Sequence, residues 1–432
     1  MTIIEAPDQG EPDVVVHGVL DTSHSGPTRL VRAAVYGAVG LIALLALGLT
    51  VGAGQARLGI GSGSDAHVLA LSGKVVVLTL GAVILALAGY QAWQGFGRRA
   101  TPYVAGVVAL LFLVAFLAWV SLHGIKATVD VQGLLQNAIG LSVPLVLGAM
   151  AGVMCERSGV INVAIEGQML AGAWAAAFVG TLAGSWFGLV GGVAAGAVMG
   201  LLLALFAIKF MVNQVVLGVV LNVLAAGLTG FFFDAFMAND ATRYNQPDLL
   251  REWDVPGLSH IPFLGPLLFS ANAVVYLTYV VIIAVDVILF RTRWGLRTRA
   301  VGEHPRAADT VGIKVLALRY RNVLVGSAIA GLGGAYFTIG SVGAFSKNIT
   351  SGNGFIALAA VIFGRWSPRG ATAAALLFGF ASALNTRLSI LLPSAPTDLL
   401  AMLPYVATIV AVAGLVGKVR APGADGEPYV KQ

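Results

Sequence analysis

Very few polar side chains interrupt the apolar stretches of this 432-residue chain, and those few define what chemistry it can offer. Asn162 and Glu166 stand four positions apart, a spacing that a helix would bring onto one face. A carboxamide and a carboxylate so placed can hydrogen-bond to a solute or brace the protein from inside, and the sequence leaves both readings open. Asn213, Gln214, Asn222 and Asn353 add neutral donors and acceptors in or beside other apolar runs. Trp174, Phe345 and Phe355 add flat apolar faces, one of them with an N–H to give. Such a set can hydrogen-bond and stack, and it holds no arrangement for bond making.

The groups that would signal an enzyme or an autonomous pump are missing. There is no G-x-x-x-x-G-K-[ST] phosphate loop, and the string GLVGKV at 414–419 has the wrong spacing. H-E-x-x-H and G-x-S-x-G motifs are also lacking, and the single cysteine, Cys155, excludes an internal disulfide or a cysteine-built metal site. No catalytic residue, metal site or cofactor is therefore expected in this chain. Asp286 lies about one turn from Arg291 and Arg293 and reads as a structural ion pair or a snorkelling contact. Asp234 and Arg387, near the ends of apolar runs, read the same way. An ion-coupled carrier would be expected to hold titratable groups at mid-membrane, and here they are scarce.

The elements that must position these residues are helices in lipid. The composition is 58% apolar and 11% charged, against about 25% charged for a soluble domain. Apolar runs reach the roughly 20 residues that cross a bilayer as a helix, and they lack the period-2 alternation of a barrel strand. Glycine, at 55 residues, permits close helix packing where lipid supplies no hydrophobic drive. The predicted fold is all-α, a polytopic transmembrane bundle of about 10–12 spans, some broken or re-entrant. Candidate spans lie near 31–53, 74–91, 103–122, 133–154, 160–180, 187–208, 213–236, 273–290, 319–341, 354–366, 371–390 and 402–418. The segment 354–366 is short for a straight crossing, and 160–180 carries Asn162 and Glu166. Gly326, Ala330 and Gly334 form a small-xxx-small stripe suited to packing or to sliding.

Charge orients the layout. With the N-terminus inside, most of the 26 Lys/Arg fall on the inner side, whereas Arg57, Lys126, Arg243, Arg251 and Lys347 fall outside. The positive-inside rule thus puts both termini in the cytoplasm. The net charge of +6 is accordingly read as membrane orientation and not as nucleic-acid binding. Residues 1–30 read as a cytoplasmic tail without a signal peptide, 31–125 as an accessory module of three plain spans, 130–420 as the principal domain and 421–432 as a second cytoplasmic tail. The outer connection 238–272 is acidic and proline-containing. The inner connection 291–318 is basic, with Pro305 suited to a first helical turn and Gly312 to a stop. The adjacent Ala307 and Ala308 leave a smooth surface that can seat in a groove of another protein; a basic loop resting on anionic lipid is the alternative.

Three blocks then resemble one family, the binding-protein-dependent ABC permeases of the ribose/branched-chain class, nucleoside type. CERSGVINVAIEGQMLAGAW at 155–174 is similar to the S-E-R-S-G-V-I-N-I-G-x-E-G-M-M-L pattern of nucleoside permeases, with Cys155 in place of serine. GLGGAYFTIGSVGAFSKNITSGNGFIALAAVIFGRWSPRGA at 331–371 carries the G-x-G-F-I-A-L-A-A-V-I-F-G-x-W core. The inner loop resembles an EAA-type coupling helix in Ala307, Ala308 and Gly312, with Arg306 in place of the acid. The resemblance covers roughly residues 130–425.

The resemblance implies a permease in the bacterial cytoplasmic membrane that imports nucleosides, purine nucleosides such as guanosine among them. Its implied partners are a homologous second permease forming a heterodimer, an extracytoplasmic solute-binding lipoprotein, and a cytoplasmic ATPase that binds ATP and Mg. Gly302, Glu303, Pro305, Arg306, Ala307, Ala308, Asp309 and Gly312 would couple to that ATPase. Asn162, Glu166, Trp174, Asn213, Gln214, Asn222, Phe345, Asn353 and Phe355 would line the translocation path. Simple sugars such as ribose are the alternative cargo, and an ion-coupled carrier or a membrane scaffold the alternatives from other classes.

Overall fold

The computed structural model describes residues 26–52, 54–61, 67–97, 100–123, 128–392, 402 and 420–431. The span expected at 402–418, and most of the tail expected at 1–30, lie outside the described residues. The chain divides into two compact units, one of residues 1–55 and 71–119, the other of residues 56–70 and 120–432.

The first unit holds α1 (Gly26–Leu41, continued by a wider turn over Ile42–Leu47), α2 (Gly73–Trp93) and most of α3 (Thr101–His123). Tyr36, Ile84, Ala88 and Val108 form its core. Each helix is long and apolar enough to span a bilayer, and only about a third or less of each is buried.

A short strand β1 (Gln55–Ile60) lies between β2 (His67–Ser72) and β3 (Val129–Asp130) and pairs in parallel with β3, matching Leu58 to Val129. In the second unit there follow α4 (Val131–Glu156), α5 (Ile165–Ala183), α6 (Ser185–Ala204, extended to Lys209) and α7 (Gln214–Phe232, extended to Met237). The acidic connection folds into α8 (Ala241–Tyr244), β4 (Glu252–Asp254), α9 (Leu264–Leu268) and β5 (Ser270–Asn272), with β4 and β5 antiparallel. Then come α10 (Ala273–Arg291), α11 (Arg293–Glu303), α12 (Pro305–Thr310), α13 (Val315–Ala335, extended to Val342), α14 (Asn353–Phe363) and α15 (Pro368–Leu391). Side-chain oxygens start several of them: Asp130 accepts from the Gly133 N–H, Asn272 from those of Val274 and Val275, and Ser367 from that of Gly370.

Among the described residues nine helices have the length and hydropathy of a membrane span, which makes the chain an all-helical polytopic membrane protein. α5, enclosed by α4, α6, α7 and α13, is less apolar, and α14 is too short to cross. Close approach at the centre depends on glycine. A Cβ on Gly331 would run into the Gly192 carbonyl, and one on Gly334 into the Met169 carbonyl. α13 therefore lies against α5 and α6 nearly backbone to backbone. The stripe expected from Gly326, Ala330 and Gly334 wedges α13 between α4 and α5, with Gly326 against Ala151 and Cys155.

Candidate functional site

The segment expected as one span over 160–180 is broken. Residues 157–164 form turns, Gly159 takes φ +84°, and α5 begins only at Ile165. Asn162 and Glu166 therefore do not share a helix face. Asn162 lies in the loop, where it exchanges two amide hydrogen bonds with Gln168, at 3.0 and 3.1 Å. The spacing argument failed because α5 begins only at Ile165, which leaves Asn162 in the loop and Glu166 on the helix.

Glu166 reaches the other broken element. Its Oε1 accepts from the Thr350 hydroxyl at 2.6 Å and the Gly352 N–H at 2.8 Å, and its Oε2 from the Gly354 N–H at 2.6 Å. Backbone N–H groups at the start of a helix lack intrahelical partners, and a carboxylate there also opposes the helix dipole. Glu166 thus serves as the cap of α14, supplied from α5. Asn353, the first residue of α14, donates to the Thr350 carbonyl at 2.8 Å and tightens the same turn.

α7 is stapled to the loop before α5. Gln214 Oε1 accepts from the Ile161 N–H at 2.7 Å. Asn222 accepts from the Gly167 N–H at 2.8 Å and donates to the Val163 carbonyl at 2.9 Å. Asn213 caps α7 by accepting from the N–H groups of Val215 and Val216. Asn162, Glu166, Gln214, Asn222 and Asn353 are thereby brought along one seam. The carboxylate of Glu166 and both ends of Asn162 and Asn222 are occupied by the protein itself.

The aromatic candidates divide. Trp174 stacks on Phe178 with centroids 5.2 Å apart and lies 5.1 Å from Phe232, and its indole N–H is buried without an acceptor. Phe345 is buried 6.0 Å from Phe233, its backbone held by Asn245. Phe355, on α14, is 47% exposed. Asp234 pairs with Lys347 at 2.6 Å and Arg387 with Asp130 at 3.5 Å. Asp286 does not pair with Arg291 or Arg293. Its partner is Arg369 on α15, which donates three hydrogen bonds at 2.9–3.2 Å.

At the basic end, two helices meet at a one-residue corner. Gly302 and Glu303 complete α11, His304 alone makes the corner, and Pro305 begins α12. Gly312 stops it at φ +82°. Arg306 and Ala307 face outward, Asp309 is half-buried, and Ala308 is buried against Val301, Val315 and Tyr429. Of the alanine pair, only Ala307 is exposed.

Several residues here escaped the sequence reading. Arg157 donates to the carbonyls of Trp366 and Arg365, and Glu156 accepts from the Trp366 indole, which ties the end of α4 to the turn between α14 and α15. Arg319, counted only as an inner positive charge, is 2% exposed. Asn322 accepts from the Trp294 indole at 2.9 Å and donates to Thr298 at 3.0 Å, locking α11 to α13. Gln168 had a signal, since it is polar two positions after Glu166; the others sit at span ends, where polar residues are ordinary.

A chain of spanning helices, broken at two places and carrying an amphipathic helix pair at its basic end, defines a membrane permease. The model of the branched-chain amino acid transport system permease component matches residues 134–412, and the chain belongs to that family. It is 42% identical to the guanosine ABC transporter permease protein NupQ of Bacillus subtilis, over 67% of this chain and 93% of that protein. It is 38% identical to the nucleoside ABC transporter permease protein NupC of Lactococcus lactis, over 69% of this chain and 97% of that one. No solved structure matches it significantly.

Proposed function

We propose that this chain is the permease subunit of an ABC importer for nucleosides and forms half of their passage across the bacterial cytoplasmic membrane. The observation that carries the reading is the α11–α12 pair. It is firmly seated on α13 through Asn322, Trp294 and Thr298, yet it offers Arg306, Ala307 and a 75% exposed Val311 outward. In our reading this outward face of α12, with Val311 in the turn after it, is the seat of another protein. In this reading the partner is the ATPase, which binds ATP and Mg and supplies all the chemistry; the chain itself has no catalytic or cofactor site. The α11–α12 end and both termini face the cytoplasm. A homologous second permease completes the passage, and an extracytoplasmic lipoprotein delivers the solute.

For the passage, the broken segments are the informative part. Irregular backbone in a membrane protein is tolerated against protein or beside water, and we place the loops at 157–164 and 343–352 next to the path. The exposed Asn213 and Phe355 and the half-buried Asn353 and Trp174 are the candidates free to meet a solute. Glu166, Asn162 and Asn222 shape that path from behind.

The test is Ala307→Glu in the complete complex. ATP-driven guanosine uptake into proteoliposomes should fall more than tenfold, with membrane insertion unchanged. Uptake at the unsubstituted rate would end the docking assignment. Uptake that survives ATPase inactivation and collapses with an uncoupler would replace the whole reading with an ion-coupled carrier.

A further inference from the structure

Residues 420–431 are not a free tail. The Ala424 N–H donates to the Gly302 carbonyl at 2.8 Å, and the Gly423 N–H to Glu303 Oε2 at 3.0 Å, which fastens the segment to α11. Arg319 on α13 donates from Nη1 to the Glu427 carbonyl at 2.8 Å and from Nε to the Ser158 carbonyl at 3.1 Å. One guanidinium thus holds both the C-terminal segment and the loop before α5. Gly426 lies on Ile161 of that loop, close enough that a Cβ would come within 2.7 Å of its Cδ1. The Tyr429 ring packs with Val301, Ala308 and Val315, with its hydroxyl on the side of the Asp309 carboxylate.

These contacts form one continuous path. It begins at α12, passes through Tyr429 and the backbone of 423–427 to Ser158 and Ile161, and continues from Ile161 to Gln214 of α7. Asp425 sits at its centre beside Arg319 and Glu156. Oxygens of both acids and the Nη2 of Arg319 are buried without hydrogen-bond partners. Leaving these groups desolvated is costly, so the seat is held by the hydrogen bonds from Arg319, Gly423 and Ala424 and by the packing of Tyr429 and Gly426.

We propose that residues 422–429 are a strap that makes the α12 helix and the loop before α5 move together, with Tyr429 and Arg319 as positioning residues for coupling. The proposal rests on the reading of α11–α12 as the ATPase docking surface. Without the strap, α12 would still contact the ATPase, but less of its displacement would reach α7 and the passage.

The experiment measures guanosine transported per ATP hydrolysed, in proteoliposomes holding the complete complex; this ratio does not depend on how much complex survives purification. Tyr429→Ala should lower it at least fivefold while ATP hydrolysis continues, and Tyr429→Phe, which keeps the ring, should restore it to within twofold. Arg319→Lys keeps the charge but cannot hold Ser158 and Glu427 at once, and should lower the ratio as well. It serves if Tyr429→Ala fails to assemble. An assembled Tyr429→Ala or Arg319→Lys complex with an unchanged ratio overturns the strap. The Ala307→Glu complex separates the two claims. If it blocks uptake while the strap variants remain coupled, the strap alone is wrong; if it transports normally, the docking reading fails and takes the strap with it.

Discussion

Helices α2 and α4 have almost the same mean hydropathy, 2.1 and 2.0, yet 28% of the first and 83% of the second is buried in the fold. The pair shows that hydropathy identifies what can cross a membrane but not what lies inside the protein. α2 carries Val75 and Val83 on exposed faces and meets α1 where Gly81 lies against Leu44. α4 buries Ser142, which donates to the Ala138 carbonyl, and Glu156, which accepts from the Trp366 indole, and its Gly148 and Gly152 admit Ala357 and Val361 of α14. In lipid, the interior is where polar side chains find partners and small residues let backbones meet. The helices of the first unit are built to be solvated by lipid, whereas α4 and its neighbours are built to be solvated by one another.

The harshest way to break this contrast is to remove a polar partner from the second unit. Glu166→Ala leaves the Thr350 hydroxyl and the N–H groups of Gly352 and Gly354 without an acceptor where water is scarce. Hydrogen bonds to a charged group contribute about 1.5–3 kcal/mol each, so a total loss of about 3 kcal/mol or more is expected, with loss of uptake. Thermal unfolding in detergent measures it. A shift no larger than that of a lipid-facing substitution would show that α14 does not depend on this cap. Next in size is Gly331→Ala, which places a methyl against the Gly192 carbonyl and should cost about 1–3 kcal/mol by forcing α13 from α6.

A titration sharpens the comparison from another side. Burial pushes the Asp425 carboxyl up to about 7, against the pull of the Arg319 guanidinium; Glu156 faces it from α4. An acid whose folded pKa is raised binds protons better in the docked state. Docking of the strap is therefore strongest below about pH 4, weakens as pH rises toward 7, and levels off above. Hydrogen exchange at the Ala424 amide, corrected for intrinsic rate, should show less protection at pH 8 than at pH 5, and Asp425→Asn should flatten the difference. The described residues of the first unit contain no carboxylate, so its amides supply the internal control.

How much of this was legible in the sequence follows from the same contrast. Nine of the twelve candidate spans were, because a run of apolar residues needs no tertiary information; 160–180 is broken, 354–366 is too short to cross, and 402–418 lies outside the described residues. The polar candidates were also visible, since an Asn or Glu in such a run is conspicuous. Their partners were not. Asn162 pairs with Gln168 because α5 begins only at Ile165, and Glu166 finds Thr350 across 184 positions of chain. The turn positions of Pro305 and Gly312 could be read locally, whereas the inward rotation of Ala308 depends on Val301, Val315 and Tyr429. The strap gave no signal, because a short polar segment reads as a tail whether or not a surface receives it.

The gentlest test is in the first unit. Val83 and Leu110 are 46% and 58% exposed, and the lipid that covers them is as apolar as the side chains themselves. Val83→Leu adds a methylene that lipid accommodates by flowing around it, and Leu110→Ala removes carbons whose contacts lipid also replaces. Neither leaves a cavity, which is the main cost of such changes in a packed core. Each should therefore move stability by less than about 0.5 kcal/mol and leave uptake per ATP unchanged. A large loss from Leu110→Ala would mean that a protein surface, and not lipid, covers that face. The first unit would then be a binding module, and its low burial would mark a missing partner.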